Sequence, residues 1–240
     1  MTKYSGLQEI EVILVPQGSE YQSVCQGLSR ANITIPKVIP IPIGTKPLIA
    51  HLEKLQASGI FLRDRPVQVL LMGLAGSLKP NYSIGDVVIY QDCVYKSNPS
   101  SIISQNSDRQ LTTLLGDHLL SKAQMVTALT SDRLIWSKAE KLELGQIADV
   151  VDMEGFPILE ILGNAGMAVA TIRVISDDVF HNLPDLTSAI AADGSLKSWP
   201  LAMGMLRQPL AAARLIQGAI YGLKVLRQVT SYLFTQKNQQ

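Results

Sequence analysis

Apolar and polar positions along the chain follow two different periods. Runs of about four to eight apolar residues bounded by turn residues are typical of buried strands, and apolar residues that recur every three or four positions predict helices. The first pattern predicts strands over residues 10–16, 67–73, 85–95, 124–130, 147–151 and 167–175. The second pattern predicts helices over residues 19–29, 46–58, 109–121, 134–145, 153–164 and about 200–235.

Strands that alternate with helices favour an α/β fold with three layers in αβα order, a mostly parallel or mixed central sheet carrying helices on both faces. Two polar, turn-rich stretches interrupt the alternation, at residues 96–108 and 178–200, and both are predicted to be loops beside a site. The chain has no internal repeat and no low-complexity linker, so residues 1–240 are predicted to form a single domain.

Composition narrows the functional classes. The 240 residues are 47% hydrophobic and carry a net charge of +1 without basic or acidic blocks, so we expect a large core and no nucleic-acid partner. Cys25 and Cys93 lie far apart and belong to no cluster with metal-ligand spacing, which predicts reduced thiols and no metal site. The sequence contains neither a signal peptide nor ~20 consecutive apolar residues, so a soluble, cytoplasmic protein is expected.

The stretch GLAGSLKPNYSIGDVVI, residues 73–89, follows an apolar strand. Gly73 and Gly76 are predicted to flank a tight turn, and Gly85 to open the next strand. Glycines at such a turn let backbone N–H groups approach a ligand closely. Taken alone, the stretch is more typical of a hairpin-like connection with ordinary turn glycines.

Acidic residues stand at two further strand ends. In VVDMEG, residues 150–155, Asp152 and Glu154 are expected where a short strand becomes a helix. There they act either as helix caps or, for Glu154, as an acceptor for the two vicinal hydroxyls of a ribose. In IRVISDD, residues 172–178, Asp177 is either a cap or a catalytic group, and Arg173 is either a buried partner for a carboxylate or a ligand contact.

In this order and spacing, the three stretches closely resemble the nucleoside phosphorylase/nucleosidase superfamily, over most of residues 10–180. The resemblance implies cleavage of the N-glycosidic bond of a purine nucleoside, with adenine as the favoured base. It also implies a set of residues that contact the substrate, namely Ala75, Gly76, Leu134, Ile135, Met153, Glu154, Arg173 and Ser176.

The roles implied by the resemblance follow from the chemistry of the reaction. Asp177 would donate a proton to purine N7, oriented by Ser176, and such general acid catalysis contributes about 10²–10⁴-fold in rate. Glu154 would hold the ribose hydroxyls, with Met153 packed on the sugar. Leu134 would lie against the base, although plain core packing explains an apolar residue there equally well.

The attacking nucleophile separates a hydrolase from a phosphorylase. Glu20, at the start of the first helix, stands about where nucleosidases of this superfamily hold the attacking water, although Ser19 or Tyr21 could take that place instead. Leu71 and Leu74 replace an arginine and a hydroxyl residue that would bind phosphate. Hydrolysis is therefore favoured, without a cofactor, and inorganic phosphate would be the co-substrate only of a phosphorylase.

A finer resemblance, to the hopanoid-associated phosphorylases, also described as adenosylhopane nucleosidases, is carried by DMEG, RVISD, NLPDLTSAIAADGSLK and the tail segment MLRQPLAAARLIQGAIYGLKVLRQV. The C-terminal tail, residues 199–234, is also unusual in itself. Its apolar residues and interspersed cations predict either a helix packed on the sheet or on a dimer partner, or a surface that accepts a lipid-linked nucleoside at a membrane. A homodimer is expected from the superfamily. Two other classes remain open: a purine-nucleoside-binding protein without turnover, and a Rossmann-like cofactor protein, for which a GxGxxG motif is missing.

Overall fold

The structure, a computed structural model, describes residues 6–29, 31, 35–63, 65–98, 101–186 and 198–235. Its strands are β1 (Ile10–Pro16), β2 (Lys37–Ile41), β3 (Gln68–Ser77), β4 (Val87–Asn98), β5 (Ser101–Asn106), β6 (Ala123–Thr130), β7 (Val150–Asp152) and β8 (Ala168–Asp177). Its α-helices are α1 (Ser19–Leu28), α2 (Thr45–Ala57), α3 (Arg109–Leu119), α4 (Lys138–Leu144), α5 (Gly155–Asn164), α6 (Ser198–Arg207) and α7 (Pro209–Phe234).

The strands form one mixed sheet in the order β2-β1-β3-β7-β6-β4-β5, and β8 pairs with both β3 and β4. The pairs of β1 with β2 and β3, of β3 with β8 and of β6 with β4 and β7 are parallel. The pairs of β3 with β7 and of β4 with β5 and β8 are antiparallel. The middle of the sheet closes on itself, because β8 joins β3 to β4 and so completes a ring of paired strands, β3-β7-β6-β4-β8.

Apolar side chains alternate between the two faces of the sheet, as the pleat requires. Val12 and Leu14 of β1 belong to a core cluster shared with α2 and α5. Ile13 and Val15 belong to a second cluster shared with α1, α3 and α7. Helices therefore cover both faces, and the predicted α/β class with a mixed central sheet is confirmed.

Two strands were not predicted from the sequence, and both lie at edges of the sheet. The stretch 96–108, predicted to be a loop, instead contains the end of β4 and the whole of β5. Ile102 and Ile103 of β5 are exposed, so the strand lacks the buried apolar run on which the prediction depends. β2 is only five residues long and contains Pro40, which a sheet tolerates at its edge.

The tail forms two helices where one was predicted. The helix is interrupted at Gln208, whose φ of −133° and ψ of 63° are not helical. The reason is that Pro209 disfavours a helical conformation in the residue before it. One face of α7 packs on β8, with Gly218 and Gly222 against the backbone of Ser176. Residues 187–197 of the predicted connection lie outside the described residues. Within the described ranges, no helix combines the length and apolar character needed to cross a bilayer.

Candidate active site

The carboxyl ends of β1, β3 and β8 meet at one edge of the sheet because the three strands run parallel. Only two residues separate the end of β1 from the start of α1 at this edge, and α1 brings Glu20 to it. Antiparallel β7 ends at Asp152, beside Gly76 and Ser77 of β3, and leads through Glu154 into α5. The topology thereby gathers residues that are up to about 150 positions apart in the sequence.

Arg173 of β8 is fully buried at the centre of this group. Its Nη2 donates to Asp152 Oδ2 at 2.8 Å and to Glu154 Oε2 at 3.1 Å. A buried guanidinium is stable only when it is paired, and two carboxylates meet that need. Of the two predicted roles, the structure therefore supports that of a carboxylate partner.

Asp152 organises the polar core of the site. Its carboxylate accepts hydrogen bonds from Thr130 Oγ1 at 2.7 Å, from Tyr90 Oη at 3.2 Å and from the backbone N–H of Gly155 at 3.1 Å. The Asp152 carboxylate therefore accepts the first backbone N–H of α5. Sequence reasoning missed Tyr90 and Thr130, because a tyrosine and a threonine inside apolar strands carry no local signal of a buried partner.

Glu154 occupies the N-cap position of α5, but its side chain accepts no hydrogen bond from the first turn of that helix. Its Oε1 instead accepts the backbone N–H of Gly44 at 3.1 Å, while Oε2 faces Arg173. Burial raises the pKa of Glu154, and the nearby Arg173 opposes that shift. Met153 is half-buried beside Gly44. A carboxylate has about four lone-pair sites, so Glu154 retains acceptor capacity for a diol.

Glu20 joins the same group from α1. Its Oε1 accepts the backbone N–H of Leu74 at 2.6 Å. Burial raises the pKa of Glu20 to about 7, Arg173 opposes that shift, and Glu154 and Asp152 add to it. Ser19 is exposed, whereas Glu20 reaches the site.

The glycines of β3 allow these side chains to cross the strand. A Cβ at Gly73 would overlap Arg173 Nη1 and would lie 2.6 Å from Glu20 Oε1. A Cβ at Gly76 would lie 2.8 Å from Asp177 Oδ2. The prediction of a tight turn is wrong, because both glycines lie inside β3, where pairing with β8 keeps the chain extended.

Asp177 ends β8 and is almost completely buried. Its Oδ1 accepts the hydroxyl of Ser176 at 3.0 Å, and Ser176 Oγ also lies 3.3 Å from the carbonyl oxygen of Ala75. Its Oδ2 accepts a hydrogen bond from Nζ of Lys141, a residue of α4 that sequence reasoning missed. Lys141 Nζ donates a second bond to the carbonyl oxygen of Asp178 at 2.8 Å.

The predicted base-contacting loop lies before α4, which begins at Lys138 and not at residue 134. Leu134 is half-buried, whereas the side chain of Ile135 is buried in a small apolar cluster with Leu78 and Val151. The burial therefore concerns only the side chain of Ile135, and plain core packing stays the alternative for the half-buried Leu134.

A cavity of about 290 Å³ lies beside Asp177, between α7 and the segment that follows β8. Asp177, Asp178, His181, Arg214 and Gly218 are among its lining residues. Among the residues that the structure describes, no group of three His, Cys, Asp or Glu side chains is arranged to hold a metal ion.

The model of one protein family, described as the phosphorylase superfamily, matches residues 46–193, which is more than half of the chain. The chain belongs to the phosphorylase superfamily. The matched range contains the glycines of β3, the Met153–Glu154 pair and the Ser176–Asp177 strand end, and Glu20 lies before it. No curated protein sequence matches the chain.

Solved structures of other proteins share the fold of this phosphorylase-superfamily chain. Futalosine hydrolase of Helicobacter pylori has a TM-score of 0.61 at 18% identity, covering 94% of this chain and 98% of the other. The 5′-methylthioadenosine/S-adenosylhomocysteine nucleosidase of the same organism, with butyl-thio-DADMe-Immucillin-A, has a TM-score of 0.59 at 19% identity, covering 91% of this chain and 96% of the other. The S-adenosylhomocysteine nucleosidase of Streptococcus pyogenes has a TM-score of 0.65 at 14% identity, covering 94% and 96%.

Proposed function

We propose that this phosphorylase-superfamily protein hydrolyses the N-glycosidic bond of a purine nucleoside and releases the free base. The observation that carries the proposal is the convergence of Glu20, Glu154 and Asp177 around Arg173 and the end of β8. Cleavage needs a proton donor for the leaving base, an acceptor for the sugar hydroxyls and a base for the water, and three carboxylates at one strand edge supply these roles.

In this proposal each carboxylate acts at a different part of the nucleoside. Asp177 protonates purine N7 while the bond from C1′ to N9 breaks, and Ser176 orients its carboxyl group. Glu154 accepts hydrogen bonds from the ribose hydroxyls and stabilises the positive charge that develops on the sugar. Met153 packs on the sugar, and Leu134 together with the backbone of Ile135 contacts the base, with adenine as the favoured one.

Two observations favour water over phosphate as the nucleophile. Glu20 is held by the N–H of Leu74, and its pKa of about 7 suits a general base at neutral pH. Leu71 is fully buried and apolar, so no cation of β3 is available there to neutralise a phosphate. The three nucleosidase and hydrolase structures with this fold add support. No cofactor is needed, and we propose that the reaction takes place in the cytoplasm.

The test is a product analysis. Purified protein is incubated with adenosine, methylthioadenosine, S-adenosylhomocysteine, futalosine and adenosylhopane, with and without phosphate, and the base and sugar are identified by mass spectrometry. Free base with an unphosphorylated sugar, formed equally fast without phosphate, is the expected result. A sugar 1-phosphate would identify a phosphorylase, and binding without any base release would leave a nucleoside-binding protein.

The outer face of α7 supports the finer proposal of a lipid-linked substrate such as adenosylhopane. Leu210, Ile216 and Ile220 are exposed on this helix, and so are the cations Arg214 and Lys224. An apolar face edged with cations binds anionic membranes, and each methylene buried on binding contributes about 0.8 kcal/mol.

Liposome co-sedimentation tests this proposal. We expect the wild type to bind anionic vesicles and to cleave adenosylhopane more efficiently than methylthioadenosine, and the double substitution Leu210→Ser/Ile220→Ser to lose both properties. Leu62→Ser is the matched control, since Leu62 is 76% exposed elsewhere. Preference for the small substrate without vesicle binding would contradict the lipid proposal. A second copy of this chain is the other proposed occupant of the face. Light scattering of the wild type and of the Leu210→Ser/Ile220→Ser variant detects such a homodimer.

A further inference from the structure

Lys141 stands in α4 where an apolar residue is expected. Its side chain is fully buried, whereas its neighbour Leu142 is 42% exposed. Lys141 shares its helix face with Leu144 and Gly145, three and four residues on, and Gly145 is also buried. A lysine is rarely buried unless it is paired, so the position calls for a specific partner.

That partner is the carboxylate assigned above to protonation of the base. Lys141 Nζ bonds to Asp177 Oδ2 and to the carbonyl oxygen of Asp178, and Ser176 bonds to Asp177 Oδ1. Both Asp177 oxygens are therefore held, and the carboxyl group cannot rotate freely in the site.

We propose that Lys141 is a positioning residue for base release, which orients Asp177 and stabilises the carboxylate that forms when Asp177 gives up its proton. The inference rests on the proposed function. In the step concerned, the proton on Asp177 moves to purine N7, and the bond from C1′ to N9 breaks with its electron pair passing to the purine. The oxygen of water bonds to C1′ and its proton passes to Glu20, while Lys141 keeps all of its own protons.

Other charged groups near Asp177 are already engaged or lie at the rim. The imidazole Nδ1 of His181 is 3.0 Å from the Asp178 carboxylate, in the segment after β8. Arg214 of α7 lines the same cavity, but it is exposed. Among these groups, Lys141 is the one whose charge is fully buried against Asp177, where water screens it least.

The test compares two leaving groups. The purine of the best natural substrate needs a proton to depart, whereas the nitrophenolate of p-nitrophenyl β-D-ribofuranoside does not. We expect Lys141→Met to lower kcat on the purine nucleoside about 10²-fold and to leave cleavage of the nitrophenyl riboside within a few-fold of wild type.

Two further substitutions separate charge from hydrogen bonding. Lys141→Gln keeps a donor without charge, and we expect it to behave like Lys141→Met. Lys141→Arg keeps the charge, and we expect it to recover most of the rate on the purine nucleoside. If Lys141→Met does not fold, as judged by circular dichroism, Lys141→Gln carries the comparison of leaving groups. The double variant Lys141→Met/Asp177→Asn is compared with Asp177→Asn alone. If the double variant is no slower, Lys141 acts through Asp177.

The outcomes separate this inference from the proposed function. A wild type that cleaves neither substrate overturns the proposed function. In the other case, the wild type is active and Asp177→Asn loses activity selectively on the purine nucleoside. If the Lys141 variants then lose both activities equally, or lose neither, only the role of Lys141 is overturned.

Discussion

Arg173 Nη2 lies 3.1 Å from Glu154 Oε2, and the arginine has no exposed surface. The same nitrogen donates to Asp152, so one cation joins β8 to the strand–helix junction between β7 and α5. The contact holds Glu154 in place at the site and also ties together two segments of the fold. Arg173 therefore affects stability as well as activity.

Arg173→Met is expected to lower the free energy of unfolding by about 3–5 kcal/mol, because it leaves two buried carboxylates without their cation. Chemical denaturation measures the change. Arg63→Met is the control, since Arg63 pairs with Glu11 on the surface and an exposed pair contributes less than about 1 kcal/mol. Equal losses in the two variants would show that Arg173 does not hold the buried group together.

Glu154→Gln is expected to slow cleavage of nucleosides on the order of 10²-fold while leaving binding of free adenine nearly unchanged. The reason is that the carboxylate is proposed to contact the sugar and not the base. Steady-state kinetics and calorimetric binding of adenine provide the two measurements. A similar loss in both would place Glu154 outside the ribose site.

The rate is expected to rise with pH through about 7, the pKa to which burial raises Glu20, because a general base must be ionised to accept a proton. Glu20→Gln should be slow at every pH and should lack this rise. The measurement is kcat between pH 5 and pH 9. An unchanged profile in Glu20→Gln would assign the rise to another group.

The raised pKa of Glu20 also predicts how the stability of the protein changes with pH. The unfolded chain releases the Glu20 proton near pH 4.5, whereas the folded chain, in which the pKa is about 7, keeps it to about pH 7. The folded state therefore binds more protons between these two pH values. The free energy of unfolding should therefore fall as pH rises from about 4.5 to about 7. Denaturation of Glu20→Gln over the same window should show a smaller fall, and an identical fall would contradict the assignment.

Gly218→Ala tests the close packing of α7 behind the site. A Cβ at Gly218 would overlap the carbonyl oxygen of Ser176, so we expect a loss of about 1–3 kcal/mol in stability and reduced activity through displacement of Asp177. Gly163→Ala in α5 is the control, because nothing lies within 4 Å of its added Cβ and alanine favours the helix. Thermal unfolding compares the two variants, and equal stability would contradict the packing argument.

The strands that carry the site were predictable from the sequence because their signals are local. β1, β3 and β8 are covered by helices on both faces, so each forms a continuous apolar run that is visible without its neighbours. Glu20 lies at the start of the helix after β1, Glu154 follows β7, and Asp177 ends β8, so each stands close to the end of a strand whatever the tertiary arrangement. The superfamily was indicated by the resemblance of residues 73–89, 150–155 and 172–178, which are local stretches in a fixed order.

Tertiary structure alone decided which of these groups meet, and through which partners. Lys141 and Asp177 are 36 residues apart, and a lysine on a short helix is ordinarily solvated, so no local pattern indicates their contact. Gly73 and Gly76 are extended because β8 pairs alongside them, whereas their sequence is equally compatible with a turn. Both outcomes depend on packing between distant segments, where burial and pairing of charges override the preference of any one stretch.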